Sequence, residues 1–421
     1  MTTIHVAFSR KISKINNIMS NNKLSHENLN AENLVRHTTA SGPYMRIIAD
    51  QRRQTRNKIY KYIYYSSSPV SKSQIAYDLN YSLPTVHKNL SELLSAGLIT
   101  VGDLQKSTGG RPPAVYVVVP NAGYALGIAV TANHLRFLLL DIKQNQISYK
   151  RLALDAINSL DIASKIDEEL DKFITENKIN PAKIIGVGIT IPGVIDHERE
   201  LVIFSPSMKL KNLALSEITK NIHYPVYIEN DATAAGFAEW SALTREKDNH
   251  NFVFVYLLLE NGIGGAIIIN GKPWLGDTHK SAEFGHMCIH PGGLTCNCGK
   301  KGCLEAYCSA FRFTRDIGVN IENFFIALKD GNKEYAEIWD DVLSNLALAI
   351  HNLRLAFDTD IILGGFVSEY LNDFLLILKQ RVSALNPFEE NTDFIKIAKF
   401  PRRAGMIGAA WHFIDEFLSQ V

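Results

Sequence analysis

The stretch EFGHMCIHPGGLTCNCGKKGCLE, residues 283–305, constrains the fold of this chain more than any other. It places His286, Cys296, Cys298 and Cys303 within eighteen residues, and four nitrogen and sulfur donors so close together suit one tetrahedral zinc ion. Glycines and Pro291 separate the donors, so the backbone can fold tightly enough to aim them at a common centre. A free cysteine is usually a small hydrophobe, which is how Cys288 and Cys308 read singly. Cys296, Cys298 and Cys303 read differently, because CNCGKKGC is polar and turn-rich and offers no apolar face. A disulfide framework fits poorly: the five cysteines are an odd number, the N-terminus shows no apolar leader, and 421 residues need no staple. A structural zinc loop is expected. Glu283 and Glu305 bracket it and are left to accept hydrogen bonds from the hydroxyls of a polar ligand.

Glu283-Phe284-Gly285-His286 and Cys296-Asn297-Cys298-Gly299-Lys300-Lys301-Gly302-Cys303-Leu304-Glu305 resemble the ExGH and CxCGxxGCxE signatures of the ROK family (repressors, open reading frames and kinases). The resemblance runs over roughly residues 50 to 421. It implies an α/β fold in which a two-lobed, actin-like (ribonuclease-H-like) domain with a zinc loop holds a sugar between its lobes.

Charge distribution bears on which branch of the family this is. Residues 1–120 hold 15 Lys and Arg against 6 Asp and Glu, +9, so with chain totals of 44 and 43 the remainder carries −8. A basic front end on an acidic body points to a nucleic-acid-binding module joined to something else, although basic arms are often only solvated tails. Hydrophobic and charged contents of 46% and 21% are those of a globular chain of two or three folding units. No apolar run reaches about 18 residues, so no membrane span is expected and the location expected is cytoplasmic.

Residues 1–50 are Asn-, Ser- and Lys-rich and read as an extension, partly disordered or helical. Residues 51–120 follow as a winged helix-turn-helix. Arg56–Tyr65 carries Ile59, Tyr62 and Ile63 at helical spacing. Ser71-Lys72-Ser73-Gln74 reads as a capping box for a second helix, and Ser82 with Pro84 opens a third whose core face is Val86, Leu90, Leu93 and Leu94. Thr85, His87, Lys88 and Ser91 are left near the end of that helix that would meet DNA. Leu98–Val101 and Ala114–Val119 should pair as a hairpin. Its tip carries Lys106 and Arg111, and Ser107-Thr108-Gly109-Gly110-Arg111 is similar to the wing segment of ROK repressors.

From Gly123 onward strand and helix patterns alternate: Tyr124–Val130, Leu135–Asp141, a helix over Ile162–Glu176, and a buried strand Ile184–Thr190. No internal repeat is evident. Val226–Asp231 is a strand running into a helix, which puts Asn230 and Asp231 where α/β folds bind ligands, although Asn-Asp before a helix is commonly only a cap. The resemblance makes Asn230, Asp231, Glu283, His286 and Glu305 the sugar-binding set, with Asp231 the general base if the chain is a kinase. It also implies that ROK kinases hold phosphate in a D-x-G-G-T loop. Here Ala129 stands for the aspartate and Thr131-Ala132 for the glycines, whereas Glu260–Ala266 and Leu363-Gly364-Gly365 keep most of theirs.

The expected protein is therefore a sugar-responsive transcriptional regulator, most simply a repressor, binding operator DNA as a homodimer or dimer of dimers. Its lobes are expected at 121–231 with 400–421 and at 232–399. Its effector is a sugar or amino sugar, phosphorylated or not, and zinc is structural. The alternatives are an ATP-dependent sugar kinase with a fused DNA-binding domain, and control by a protein regulator at the effector site.

Overall fold

The computed structural model describes residues 43–102, 113–154, 162–244 and 252–421. Two compact units divide after Gln54. The described part of the first is the opening of helix α1, Pro43–Tyr65.

The second unit begins with the rest of α1, which buries Ile59, Tyr60, Ile63 and Tyr64. Helix α2, Lys72–Asp78, starts at Ser71, whose Oγ accepts the Gln74 amide at 3.2 Å. The Gln74 side chain donates to Asp78 at 2.7 Å instead of reaching back, so only half of the expected capping box forms. Helix α3, Leu83–Ser95, is capped by Ser82 and has proline in its first turn, as read from the sequence. It buries Val86, Leu90 and Leu93. Leu94 was expected in the core but is 36% exposed, and Asn89 takes an inner position because its amide is satisfied by the Thr85 carbonyl at 2.8 Å. Strand β1, Val70–Ser71, completes a small antiparallel sheet with β2, Ile99–Val101, and β3, Val115–Val118, in the order β1-β3-β2.

Two five-stranded sheets build the rest. The first comprises β4 (Tyr124–Thr131), β5 (His134–Asp141), β6 (Gln146–Ala153), β7 (Ile184–Ile191) and β11 (Val226–Asn230), in the order β11-β7-β4-β5-β6. Helix α4, Ile162–Glu176, covers one face. Between β7 and β11 lies a three-stranded flap of β8 (Val194–Asp196), β9 (Leu201–Ser205) and β10 (Leu210–Ala214). Helix α5, Asp231–Leu243, leads to the second sheet: β12 (Val253–Leu259), β13 (Ile263–Ile269), β14 (Lys272–Pro273), β15 (Asp360–Gly364) and β16 (Ile395–Ile397), in the order β14-β13-β12-β15-β16. In each sheet the first three strands form an antiparallel meander and the last two run parallel to the first. The chain therefore repeats a topology without repeating a sequence.

The outer face of the second sheet is covered by α6 (Leu304–Cys308), α7 (Ile321–Lys329), α8 (Lys333–Phe357) and α9 (Leu375–Leu385), around Trp339, Phe313 and Phe324. The last helix, α10 (Ala404–Gln420), returns to the first sheet and packs on β4, β7 and α5. Gly127 and Gly188 let its backbone approach, since a Cβ at either would lie 2.2 Å from the carbonyls of Met406 or Ala409. One apolar cluster then joins Ile59, Tyr60, Ile63 and Tyr64 of α1 to Trp411, Phe413, Ile414 and Leu418 of α10 and to Leu138 and Leu140 of β5. Residues 59–118 thus share a core with the first sheet.

Candidate ligand cleft and metal loop

Asn230 ends β11 and caps α5. Its Oδ1 accepts the amides of Ala232 and Thr233 at 2.9 and 3.0 Å, and its Nδ2 donates to the Gly193 carbonyl of the flap at 2.9 Å. The cap anticipated from the sequence is real, and it also fixes where Asp231 sits. Below Asn230, Glu229 is buried; its Oε1 accepts the Asn230 amide at 2.7 Å and its Oε2 accepts the Tyr227 hydroxyl at 2.5 Å. The His197 Nε2 lies 3.2 Å from the same Oε2, and this contact holds the imidazole above its ordinary range. The Tyr227 ring stacks on His412 of α10 with centroids 3.9 Å apart.

Asp231 is half-buried at the start of α5. Burial pushes its carboxyl up, against the amides of Ala232 and Asp231 itself and the charge of Arg136. Glu260, in the turn between β12 and β13, is pushed up to about 7, chiefly by burial, with Asp231 adding and Arg136 and Arg402 opposing. Glu283 belongs to the same group of carboxylates. Lost solvation raises it, His286 opposes, and Asp231 and Glu305 add. Glu305 enters from the start of α6, and its Oε2 accepts the Ile263 amide at 3.1 Å. That carboxylate would lie 2.7 Å from a Cβ at Gly262, so the glycine turn and Glu305 are built against each other. The structure brings together Asp231, Glu283 and Glu305 as expected, with Asn230 adjoining. It adds Arg136 and Glu260, which reading the sequence missed. Arg136 could have been found by counting back across the β4–β5 turn, because it is the strand partner of Ala129.

The ligand atoms of His286, Cys296, Cys298 and Cys303 all lie within 4.8 Å of one another. The Cys298 and Cys303 sulfurs are 3.8 Å apart, as are the Cys296 sulfur and His286 Nδ1. Zinc with bonds of about 2.0–2.3 Å sets tetrahedral ligand edges of roughly 3.3–3.8 Å; two of the pairs stand at 3.8 Å, and the one nitrogen and three sulfurs together could hold a metal ion. Cys288 and Cys308 stand outside the cluster; Cys308 is buried and donates to the Val342 carbonyl at 3.6 Å.

On α3, His87, Lys88 and Ser91 are exposed and Thr85 is half-buried. The Thr85 hydroxyl meets Ser82 at 2.8 Å, and the Ser91 hydroxyl donates to the His87 carbonyl at 3.0 Å. Lys106 and Arg111 lie outside the described residues. Among the described residues no helix is long and apolar enough to cross a membrane.

The family model described as "ROK family" matches residues 125–416. The chain belongs to the ROK family. Over 245 residues this ROK protein is 32% identical to the xylose repressor of Bacillus spizizenii, covering 58% of the chain and 62% of the repressor. It is 28% identical over 276 residues to the glucokinase of Halalkalibacterium halodurans, covering 59% of the chain and 82% of the kinase. Among solved structures, a ROK family transcriptional regulator homologous to the E. coli MLC protein superposes with a TM-score of 0.69 at 22% identity, over 88% of this chain and 97% of that one. That likeness shows a shared mixed α/β fold.

Proposed function

We propose that this ROK protein is a sugar-responsive DNA-binding regulator, acting as a repressor of genes for carbohydrate uptake or breakdown. One observation carries the reading: the basic N-terminal module shares an apolar core, through α10, with the sheet whose β11 ends at Asn230. A ligand that favours one arrangement of the cleft therefore acts on the body to which the DNA-binding module is attached.

Residues 51–120 would be a winged helix-turn-helix with α3 as recognition helix. Because the hydroxyls of Thr85 and Ser91 already have partners within α3 and its cap, His87 and Lys88 are its principal reach toward DNA, joined by Lys106 and Arg111 at the wing. The lobes would span 121–231 with 400–421, and 232–399. A homodimer would present two such helices to a pseudo-palindromic operator. Asn230, Asp231, Glu283, His286 and Glu305 would hold the sugar hydroxyls. His286, Cys296, Cys298 and Cys303 would hold zinc, which would fix the loop that carries Glu283 and Glu305.

The likeness to a glucokinase and the retained Gly262, Gly264 and Gly265 favour a kinase as the second reading. Ala129 counts against it, since no carboxylate stands there to serve magnesium-linked chemistry. Fluorescence anisotropy of the full chain on upstream DNA of its own operon, titrated with sugars, tests the regulator. Expected are salt-sensitive binding, weakening by Lys88→Ala with a salt slope lower by about 1, and a shift in affinity with one sugar. Sugar-dependent ADP formation abolished by Asp231→Asn would establish the kinase instead.

A further inference from the structure

Arg136 lies two and four positions before Leu138 and Leu140 on β5, which join the cluster around α10, so it projects from the same face of the sheet at the end near Asp231. Its charge bears on the carboxyls of both Asp231 and Glu260. Its Nε is shut off from solvent and has no hydrogen-bond partner among the described residues. A buried guanidinium donor without an acceptor is costly, and here the carboxylates of Asp231 and Glu260 are close enough to feel its charge.

The backbone of Glu260 is bonded at both its polar groups. Its amide donates to the Gly262 carbonyl at 3.0 Å, and its carbonyl accepts the Ala310 amide at 2.8 Å. A glycine turn that cradles phosphate offers bare amides to the anion. This turn places a carboxylate at its first position, and Glu305 closes on its Gly262.

A hydroxyl suits these surroundings, since it can accept from a guanidinium while donating to a carboxylate. A phosphate can only accept. It would gain Arg136 but would be desolvated beside Asp231, Glu260, Glu283 and Glu305, with Arg402 already taken by Glu369. We propose that Arg136 and Glu260 are ligand-contacting residues that set the cleft's specificity, so that it takes an uncharged sugar and refuses the phosphate ester of that sugar and the phosphates of a nucleotide. This rests on the reading of the cleft as a sugar site.

The test is calorimetric titration of the full, zinc-replete chain at pH 8, where Glu260, pushed up to about 7, is ionised. The probes are xylose, glucose and N-acetylglucosamine, glucose 6-phosphate and N-acetylglucosamine 6-phosphate, and magnesium ATP. Glucose or N-acetylglucosamine is expected to bind at least about tenfold more tightly than its own ester. Glu260→Gln should narrow that gap about tenfold, and Arg136→Met should weaken the parent sugar more than Arg136→Lys does. A fold defect would shift sugar and ester together and leave the gap unchanged, so the ratio isolates specificity. An ester binding as tightly as its parent, or a gap untouched by Glu260→Gln, would overturn the proposal and leave the sugar site standing. Binding of none of these sugars or esters would remove the sugar site and the proposal with it.

Discussion

Glu260 is raised from 4.5 to about 7 in the folded chain. Between those values the folded state keeps a proton there that the unfolded chain has released. Stability contributed by this group therefore falls as pH rises through that window and is level above it. Glu260→Gln removes the ionisation and keeps the shape. Its melting temperature relative to the parent is expected to climb from pH 5 to pH 8; a difference constant with pH would mean that the carboxylate is solvated as in the unfolded chain. Asn230 and Asp231 were legible because a strand pattern breaks into a helix at that point. Arg136 was not, because its place depends on the β4–β5 register, in which Thr131 pairs with His134. One residue of slip would put it on the opposite face.

At the level of elements, the gathering of His286, Cys296, Cys298 and Cys303 was the most legible part, because ligand chemistry fixes spacing more tightly than packing does. Helix α4 was also read end to end, its apolar residues recurring at helical spacing over Ile162–Glu176. Strand β6 was missed: it is an edge strand with polar, exposed positions, and its QISYKRLA lacks the alternation of a half-buried strand. The flap of β8 to β10 escaped for a similar reason, its strands being three to five residues long. The loop makes its own prediction. Cys298 is exposed and its sulfur faces Cys303 at 3.8 Å, so Cys298→Ser should leave the surrounding core packed while lowering bound zinc, read by atomic emission. Glu283 and Glu305 would then be less well held, and sugar affinity should fall. Unchanged sugar affinity in a zinc-depleted variant would separate the loop from the ligand site.

For the whole molecule, the decisive feature is that α10 is the last stretch of the chain yet completes the core of the first helices. Leu418 is fully buried, its carbonyl accepts the Asn57 side chain, and the Phe417 ring meets Tyr60 edge-on at 6.5 Å. The charge asymmetry announced a separate basic module, and nothing in the local pattern of residues 51–120 showed what covers its apolar face. That face is covered by residues some 350 positions away, a relation visible only once the chain is folded. If the seam is energetic, the module and the first sheet unfold together. Leu418→Ala, which empties a buried site, should cost about 2–5 kcal/mol and raise amide exchange in α1 and α10 alike, measured by hydrogen exchange with mass spectrometry. Faster exchange in α10 with α1 unaffected would show that the module stands by its own core. The attachment through α10 would then be too weak to pass a sugar's preference for one cleft arrangement on to DNA.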